Sequence, residues 1–289
     1  MNYTPKAQTM DANSVVPNRR FNQQKRLHAY WQVMLMSARE DRANPLRLAG
    51  SLALGVLRMV LLAAIYKVAY SVTHTSTMPY ANALWSIALY FTFVIGLSVR
   101  NVFKLVEQEV KSGAVEVSLI KPLDYRMVKI CQQIGKNLLE SSLLMIAFAV
   151  TLWILVGLPS VSYITPWFVA GYILLMILGV VAASAAFLTV GLIAFWLNDS
   201  QSVFRIVDRM IMVFGGAFVP IALLPDGVQT VLRFSPLGIF AASTQFFNPG
   251  LVTHMVPTII SGIVWSALLL LLCQWVWRRA EQRVEVNGG

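Results

Sequence analysis

The residues of this chain that could do chemistry are few, and no catalytic motif organises them. His28, His74 and His254 have no carboxylate or cysteine at ligand spacing, and Cys131 and Cys273 lie far apart. The sequence contains no HExxH, GxSxG or CxxC pattern. It therefore indicates neither a zinc hydrolase, nor a serine hydrolase, nor a disulfide framework. These residue types and spacings do not predict an enzyme.

The nearest approach to a phosphate-binding loop is the string "QQIGKN", residues 132–137. The pattern GxxxxGK[ST] would need glycine where Ile130 stands, and serine or threonine where Asn137 stands. The backbone N–H groups of that glycine-rich loop are what cradle the phosphates. We therefore predict no nucleotide, cofactor or metal site in this chain.

The composition is typical of a membrane protein. Of 289 residues, 57% are hydrophobic and only 12% are charged, whereas a soluble domain carries roughly 25% charge. About 20 apolar residues are needed to cross the hydrocarbon core of a bilayer. Six stretches are predicted as spans: 48–70, 83–103, 138–157, 167–196, 210–224 and 256–277. The fifth is short, since a helix of its length reaches only about 22 Å.

The basic residues alternate along the chain in the way that a membrane topology requires. Lysine and arginine number eight in 1–47, seven in 100–137, two in 197–209 and three in 278–289, while 71–82 and 158–166 contain none. The excess of positive charge marks the cytoplasmic side. Both termini and the two basic loops are therefore predicted to be cytoplasmic. The net charge of +10 then reflects topology, and no nucleic-acid partner is predicted.

Residues 21–44 are predicted to form an amphipathic helix that lies in the membrane interface. Apolar residues recur at helical spacing on one face: Leu27, Tyr30, Trp31, Met34, Leu35 and Ala38. Basic residues flank this face, so its aromatic rings would lie at the depth of the lipid headgroups. An ordinary helix packed on a soluble partner is the alternative. Residues 1–20 have no periodicity and are predicted to be a mobile cytoplasmic tail.

A charged stretch with a helix–turn–helix pattern follows the second predicted span. It reads "VEQEVKSGAVEVSLIKPLDYRMVKICQQIGKNLLE" over residues 106–140. Pro122 is expected to end the first helix, because it disfavours the α conformation at residue 121. Asp124 can cap the next helix, which continues into the third span. A solvated loop whose charges only hold the topology is the alternative.

This stretch resembles the segment after the second span in type-2 ATP-binding-cassette (ABC) export permeases. Its "LIKPLDY" form looks most like the daunorubicin-resistance-like branch of ABC-2 family transporter proteins. Three further strings resemble that branch in the same order: "AFWLNDSQSVFRIVDRM" at 194–210, "FGGAFVPIALLPDGVQTVLRFSPLGIF" at 214–240 and "WRRAEQRVEVNGG" at 277–289. The resemblance covers most of the chain. Arg58 and Lys67 correspond to no motif of the family.

The resemblance implies the membrane-spanning subunit of an exporter, with an all-α integral membrane fold of six transmembrane helices. Two permease chains, identical or related, would form the pathway, and separate ATPase subunits would bind ATP and magnesium. Those ATPases would dock on a cytoplasmic coupling helix after the second span. The residues expected to carry the docking are Glu107, Glu109, Gly113, Glu116, Leu119, Pro122, Tyr125 and Arg126. The permease domain is expected over 45–279 with a cytoplasmic tail over 280–289, in a bacterial-type inner (cytoplasmic) membrane.

Short re-entrant helices in the outer leaflet are expected between the fifth and sixth spans, as in type-2 exporters. Helix breakers interrupt the apolar run there, namely Gly215, Gly216, Pro220, Pro225 and Pro236. A tilted span followed by a surface loop is the alternative.

Arg58 is the costly residue of the first span. Eleven positions past Arg47, it would lie about 16 Å deep, where an isolated arginine costs at least ~2.5–3.5 kcal/mol. It is expected to face a polar cavity, a partner chain or an anionic headgroup. Snorkelling along a tilted helix is the alternative.

The apolar, acid-poor spans favour an amphiphilic or hydrophobic substrate, such as a lipid or a hydrophobic drug, over a small ion. An ion-coupled secondary transporter is the competing function. It has little support from the sequence, because only Glu140, near a membrane edge, offers an acid for a coupling ion.

Overall fold

A computed structural model describes residues 23–41, 45–72, 78–96, 100–115, 123–197 and 199–287. These residues form helices joined by turns, and no strand occurs among them. The α-helices are α1 (Gln23–Asp41), α2 (Pro45–Val72), α3 (Tyr80–Tyr90), α4 (Arg100–Ser112), α5 (Tyr125–Val156), α6 (Pro166–Leu192), α7 (Ser200–Phe214), α8 (Asp226–Phe234), α9 (Gly238–Ala241) and α10 (Gly250–Asn287). A π-helical segment, Phe91–Gly96, continues α3, and 3-10 segments cover Ile193–Phe195, Ile221–Leu223 and Ala242–Gln245.

Within the described ranges, four helices are long and apolar enough to cross a membrane: α2, α5, α6 with its 3-10 extension, and α10. They contain the predicted first, third, fourth and sixth spans. Each carries many exposed leucine, isoleucine, valine or tryptophan side chains on its outer face. Such an apolar outer surface is typical of helices that face lipid.

Two of these helices are longer than the apolar spans predicted within them. Helix α5 runs without a break from Tyr125 to Val156, and the third span is its later part. Helix α10 extends from Gly250 to Asn287 on both sides of the sixth span. Helix α5 begins as predicted at the Asp124 cap, whose carboxylate accepts hydrogen bonds from the backbone N–H groups of Arg126 and Met127. Apolar length marks the membrane-embedded part of a helix, and polar turns can extend that helix beyond it.

The second predicted span, 83–103, coincides with α3 and its π-helical continuation as far as Gly96. Helix α4 begins at Arg100, inside the predicted span. The fifth span, 210–224, is wrong as a continuous helix. Helix α7 begins at Ser200 and ends at Phe214, where Gly215 and Gly216 follow. This glycine pair ends the helix, with Gly216 in the left-handed region at a φ of +94°, although the sequence stays apolar.

Helices α6 and α10 run parallel and pack closely against each other over several turns. Gly171 lies against Met255, and Leu178 lies further along against Gly262. The Ser266 hydroxyl donates to the carbonyl of Leu178 at 3.3 Å. Glycines at these positions let the helices approach closely, which is how helices associate in lipid.

The segment between α7 and α10 packs against both α6 and α10. Ile239 packs between Gly179 of α6 and Gly262 of α10, and Gly179 is the middle residue of α6. The hydroxyl of Ser261 and the indole N–H of Trp265 donate to the carbonyls of Arg233 and Phe234, at 3.0 and 2.8 Å. The turn between α8 and α9 therefore lies level with the middle of α6 and with the first half of α10.

Helix α1 packs on the first turns of α5 rather than standing apart from the bundle. The contact is close at Gly135, where an added Cβ would lie 2.1 Å from the carbonyl oxygen of Met34. The predicted apolar face is divided. Tyr30, Met34 and Ala38 are half-buried, whereas Leu27, Trp31 and Leu35 are exposed and available to an interface.

Candidate functional site

Helix α4 ends at a glycine turn in the predicted coupling segment. Gly113 has a φ of +74°, and its N–H donates to the carbonyl of Val110 at 3.3 Å. This left-handed conformation suits glycine, which commonly ends helices in this way. Val115, just beyond the turn, is 2% exposed. Glu116, Leu119 and Pro122 lie outside the described residues.

Glu109 holds α4 against the start of α5. Its Oε2 accepts a hydrogen bond from the Tyr125 hydroxyl at 2.8 Å, and its Oε1 forms an ion pair with Lys129 at 2.5 Å. The Tyr125 ring stacks on the indole of Trp277 in α10, with centroids 5.1 Å apart and planes 8° apart. Tyr125 and Trp277 are both buried. One acid thus connects α4, α5 and α10, and we call Glu109, Tyr125, Lys129 and Trp277 the junction cluster.

Arg126 adds a second connection between α5 and α10. Its guanidinium pairs with Asp124 at 2.7 Å and donates to the side-chain oxygen of Gln274. The same guanidinium lies 6.0 Å from the ring centroid of Trp277, within range of a cation–π contact. Arg126 is half-buried, and much of its guanidinium group already donates hydrogen bonds to residues of the same chain.

Glu107 holds α4 against the start of α7. Its side chain is buried, and one oxygen accepts hydrogen bonds from Ser200 at 2.7 Å and Lys111 at 2.9 Å. Burial alone would raise the pKa of Glu107, but these hydrogen bonds and the Lys111 charge outweigh it, so its pKa lies below the usual value. Because the pKa of Glu107 is lower in the folded protein than in the unfolded chain, the ionised side chain stabilises the fold at pH values above the ordinary pKa of a glutamate. This stabilisation is lost as the pH falls through the lowered pKa of Glu107.

The structure therefore brings Glu107, Glu109, Tyr125 and Arg126 together as an internal framework around the end of α4. Their functional groups point into the chain, toward α5, α7 and α10. The outward surface of α4 is formed instead by Lys104, Gln108, Lys111 and Ser112, which are exposed.

Sequence reasoning missed a buried ion pair deeper in the bundle. Arg100 of α4 forms a salt bridge with Asp208 of α7, and the Asp208 side chain is only 8% exposed. One helical turn further along α7, the carbonyl of Ile211 accepts a hydrogen bond from Tyr90 at 3.2 Å. A signal was present in the sequence, because Asp208 follows Phe204 by four residues and precedes Ile211 by three, and so lies on the apolar face of α7.

Arg58 lies near the middle of α2 and is exposed on the surface of this single chain. Its guanidinium carbon is 4.8 Å from the ring centroid of Phe91, the first residue of the π-helical segment. An exposed position fits an arginine that faces a partner chain or a headgroup, and it equally fits one that snorkels to water along a tilted helix.

The five predicted helix breakers lie together at the irregular segment after α7. Gly216 has a φ of +94°, and a Cβ there would lie 2.6 Å from the Thr244 side chain, while one on Gly215 would meet the Tyr90 ring at 2.9 Å. Pro220 precedes the 3-10 segment and Pro225 precedes α8. Pro236 lies in the turn between α8 and α9.

Aromatic and amide side chains satisfy the backbone of this irregular region. The tyrosine hydroxyls of residues 66, 163 and 172 donate to the carbonyls of Phe218, Phe246 and Ser243, at 2.6, 3.1 and 2.9 Å. Buried Asn82 joins two loops, donating to the carbonyls of Ser160 and Phe247. Non-helical backbone is tolerated at membrane depth only where protein groups satisfy it in this way.

Among the described residues, no group of three or more histidine, cysteine, aspartate or glutamate side chains could hold a metal ion. No match to a curated protein was found. A sequence model of one protein family, described as "ABC-2 family transporter protein", matches residues 56–288. This match takes in α3 to α10, the junction cluster and the irregular segment after α7. The chain therefore belongs to the ABC-2 family of transporter proteins and is a membrane-embedded permease.

Proposed function

We propose that this chain is the membrane-spanning subunit of an ABC exporter, and that it moves an amphiphilic or hydrophobic substrate outward. ATP would be hydrolysed by a separate ATPase subunit, the usual partner of this family, that docks on the loop after the second span. Family membership supports this function over the ion-coupled carrier.

The observation that carries the proposal is the framework at the end of α4. Glu107 joins this end to α7, and the junction cluster joins it to α5 and α10. A displacement of the segment after Gly113 would therefore be transmitted to α5, α7 and α10 together. Coupling between distant sites needs such a contiguous network of packed and hydrogen-bonded groups.

Seven of the eight residues predicted for docking then divide into two roles. Glu116, Leu119 and Pro122 are proposed to contact the ATPase, since Glu107, Glu109, Tyr125 and Arg126 use their functional groups within the chain. These four are positioning residues, which hold α4 in register with α5, α7 and α10. Gly113 is the turn that separates the docking segment from α4.

The test compares docking variants with a positioning variant in the complex of permease and ATPase. Glu116→Arg and Leu119→Asp should reach the membrane normally and lose co-purification with the ATPase, because an unpaired charge in a desolvated contact costs several kcal/mol. Tyr125→Phe removes one hydrogen bond to Glu109 but keeps the stacking on Trp277. It should retain the ATPase and lose part of the substrate-stimulated hydrolysis.

Gln108→Arg is the matched control, since Gln108 is exposed on α4 and belongs to neither group. It should resemble the wild type in both measurements. If Glu116→Arg and Leu119→Asp both keep normal association and normal transport, the loop only anchors the topology and the proposed docking role is wrong.

We also propose that a second permease chain, identical or related, covers the exposed face of α2. Arg58 lies on that face beside Leu54, Leu57 and Leu61, all exposed in the single chain. Arg58→Leu should insert at least as well as the wild type, because it removes a charge from the middle of a span. It should weaken dimer assembly in cross-linking or reduce transport. If Arg58→Leu keeps full transport activity and an unchanged dimer, Arg58 only snorkels to water and the proposed interface role is wrong.

A further inference from the structure

A cavity of about 520 Å³ opens beside the last turns of α10. It is lined by Trp196, Trp275, Arg278, Arg279 and Gln282. Trp196 follows the 3-10 extension of α6, so the cavity lies where the parallel helices α6 and α10 reach the same end of the bundle. No function proposed above uses these residues.

The chemistry of the lining is cationic and aromatic. It contains two guanidinium groups and no carboxylate. The guanidinium carbon of Arg279 lies 4.6 Å from the ring centroid of Trp275, which is the geometry of a cation–π contact. Arginine presents donors in a planar fork that matches the oxygens of a phosphate group. The cavity is therefore suited to a phosphate or a similar oxyanion.

The surroundings favour a phosphate that carries acyl chains. Leu271 and Leu272, four and three residues before Trp275, lie on the adjoining turn of α10 and are exposed. Tryptophan rings concentrate at the depth of the headgroups. At this end of the bundle the chain also exposes Lys104, Lys111 and Arg205, which is the charge pattern of a cytoplasmic leaflet side.

We propose that this cavity binds the headgroup phosphate of an anionic phospholipid from the adjacent leaflet. Arg278 and Arg279 bind the phosphate oxygens, and Trp275 and Trp196 contact the glycerol region. The acyl chains then lie along Leu271 and Leu272. Basic pockets between membrane helices at the cytoplasmic side are suited to such headgroups. Bound lipid would stabilise the end of α10, which also carries Trp277 of the junction cluster.

The experiment titrates purified full-length protein in a neutral detergent with phosphatidylglycerol, phosphatidylcholine or inorganic phosphate. Thermal unfolding and native mass spectrometry provide the readouts. Phosphatidylglycerol should raise the unfolding temperature with saturation, and bound lipid should be visible by mass. Phosphatidylcholine and inorganic phosphate should do so weakly. Arg278→Gln/Arg279→Gln should weaken the apparent affinity for phosphatidylglycerol by roughly tenfold or more.

Lys104→Gln/Arg205→Gln is the matched control, since it removes the same charge from the same end of the bundle without touching the cavity. It should retain the affinity for phosphatidylglycerol. Trp275→Leu removes the ring under Arg279, should also weaken binding, and provides a second variant if the double arginine variant does not fold. Equal losses in the control and the cavity variants would overturn the proposal in favour of diffuse attraction. An equal response to inorganic phosphate would exclude a lipid site.

Discussion

Asp208 is a buried carboxylate whose charge is compensated by one arginine. Asp208 is nearly inaccessible, and Arg100 is its partner across α4 and α7. Removing one partner of a buried ion pair leaves the other charge uncompensated, which costs about 3–5 kcal/mol when the site is fully buried. Arg100 is partly exposed at 25%, so the cost here should be toward the lower end.

Asp208→Ala is therefore expected to lower the thermal unfolding temperature of the purified protein markedly. The double variant Arg100→Met/Asp208→Met removes both charges at once and should recover part of the lost unfolding temperature. Its effect should therefore be smaller than the sum of the effects of changing Arg100 alone and Asp208 alone. An unfolding temperature unchanged by Asp208→Ala would show that the pair contributes nothing.

The backbone conformation of Gly216 leads to a second prediction for a single residue. Gly216→Ala places a Cβ at a φ of +94° and 2.6 Å from the Thr244 side chain, so it should destabilise the protein by about 1–3 kcal/mol. Gly227→Ala is the control, since a Cβ there meets nothing within 4 Å. Thermal unfolding should separate the two variants, and equal stability would contradict the strain at Gly216.

At the scale of elements, the contact of α1 with α5 depends on the absence of one side chain. Gly135 lets the Met34 carbonyl approach to a distance at which no Cβ fits. The phenolic oxygen of Tyr30 accepts a hydrogen bond from the N–H of Asp124 at 3.1 Å. Helix α1 thus holds the first turns of α5, where the junction cluster begins.

Gly135→Leu should displace α1 while α5 stays helical. A cysteine at Ser37, which is 5% exposed, should become accessible to a thiol reagent in that background and stay protected in the parent. Gly50→Leu on α2 is the control, because a Cβ there meets nothing within 4 Å, and it should leave Ser37 protected. Protection in the Gly135→Leu background would mean that α1 does not need this close approach.

At the scale of the whole molecule, the charge distribution predicts both termini on the cytoplasmic side. Single cysteines at positions 10 and 284 should resist a membrane-impermeant reagent in intact cells, in a background without Cys131 and Cys273. A cysteine at Ser162, an exposed residue between α5 and α6, should react. Labelling of either terminus from outside would rule out the six-span arrangement.

The all-helical fold, the positions of the long apolar helices and the Asp124 cap could be predicted from the sequence, because apolar length and capping chemistry are local properties. Gly215 and Gly216 were among the predicted helix breakers, but the fifth span was carried past them to residue 224, because the sequence stays apolar there. The inward direction of Glu107 and Glu109 was also missed. Their partners Ser200, Tyr125 and Lys129 lie 16 to 93 residues away, beyond the reach of any periodic pattern.

The π-helical segment changes the direction in which the residues after α3 face. A π turn holds one more residue than an α turn, and one residue corresponds to a rotation of about 100° and an advance of about 1.5 Å. Phe91–Gly96 directly follows Tyr90, which is anchored on α7. The extra residue therefore turns the end of this helix by about 100° relative to an uninterrupted α3.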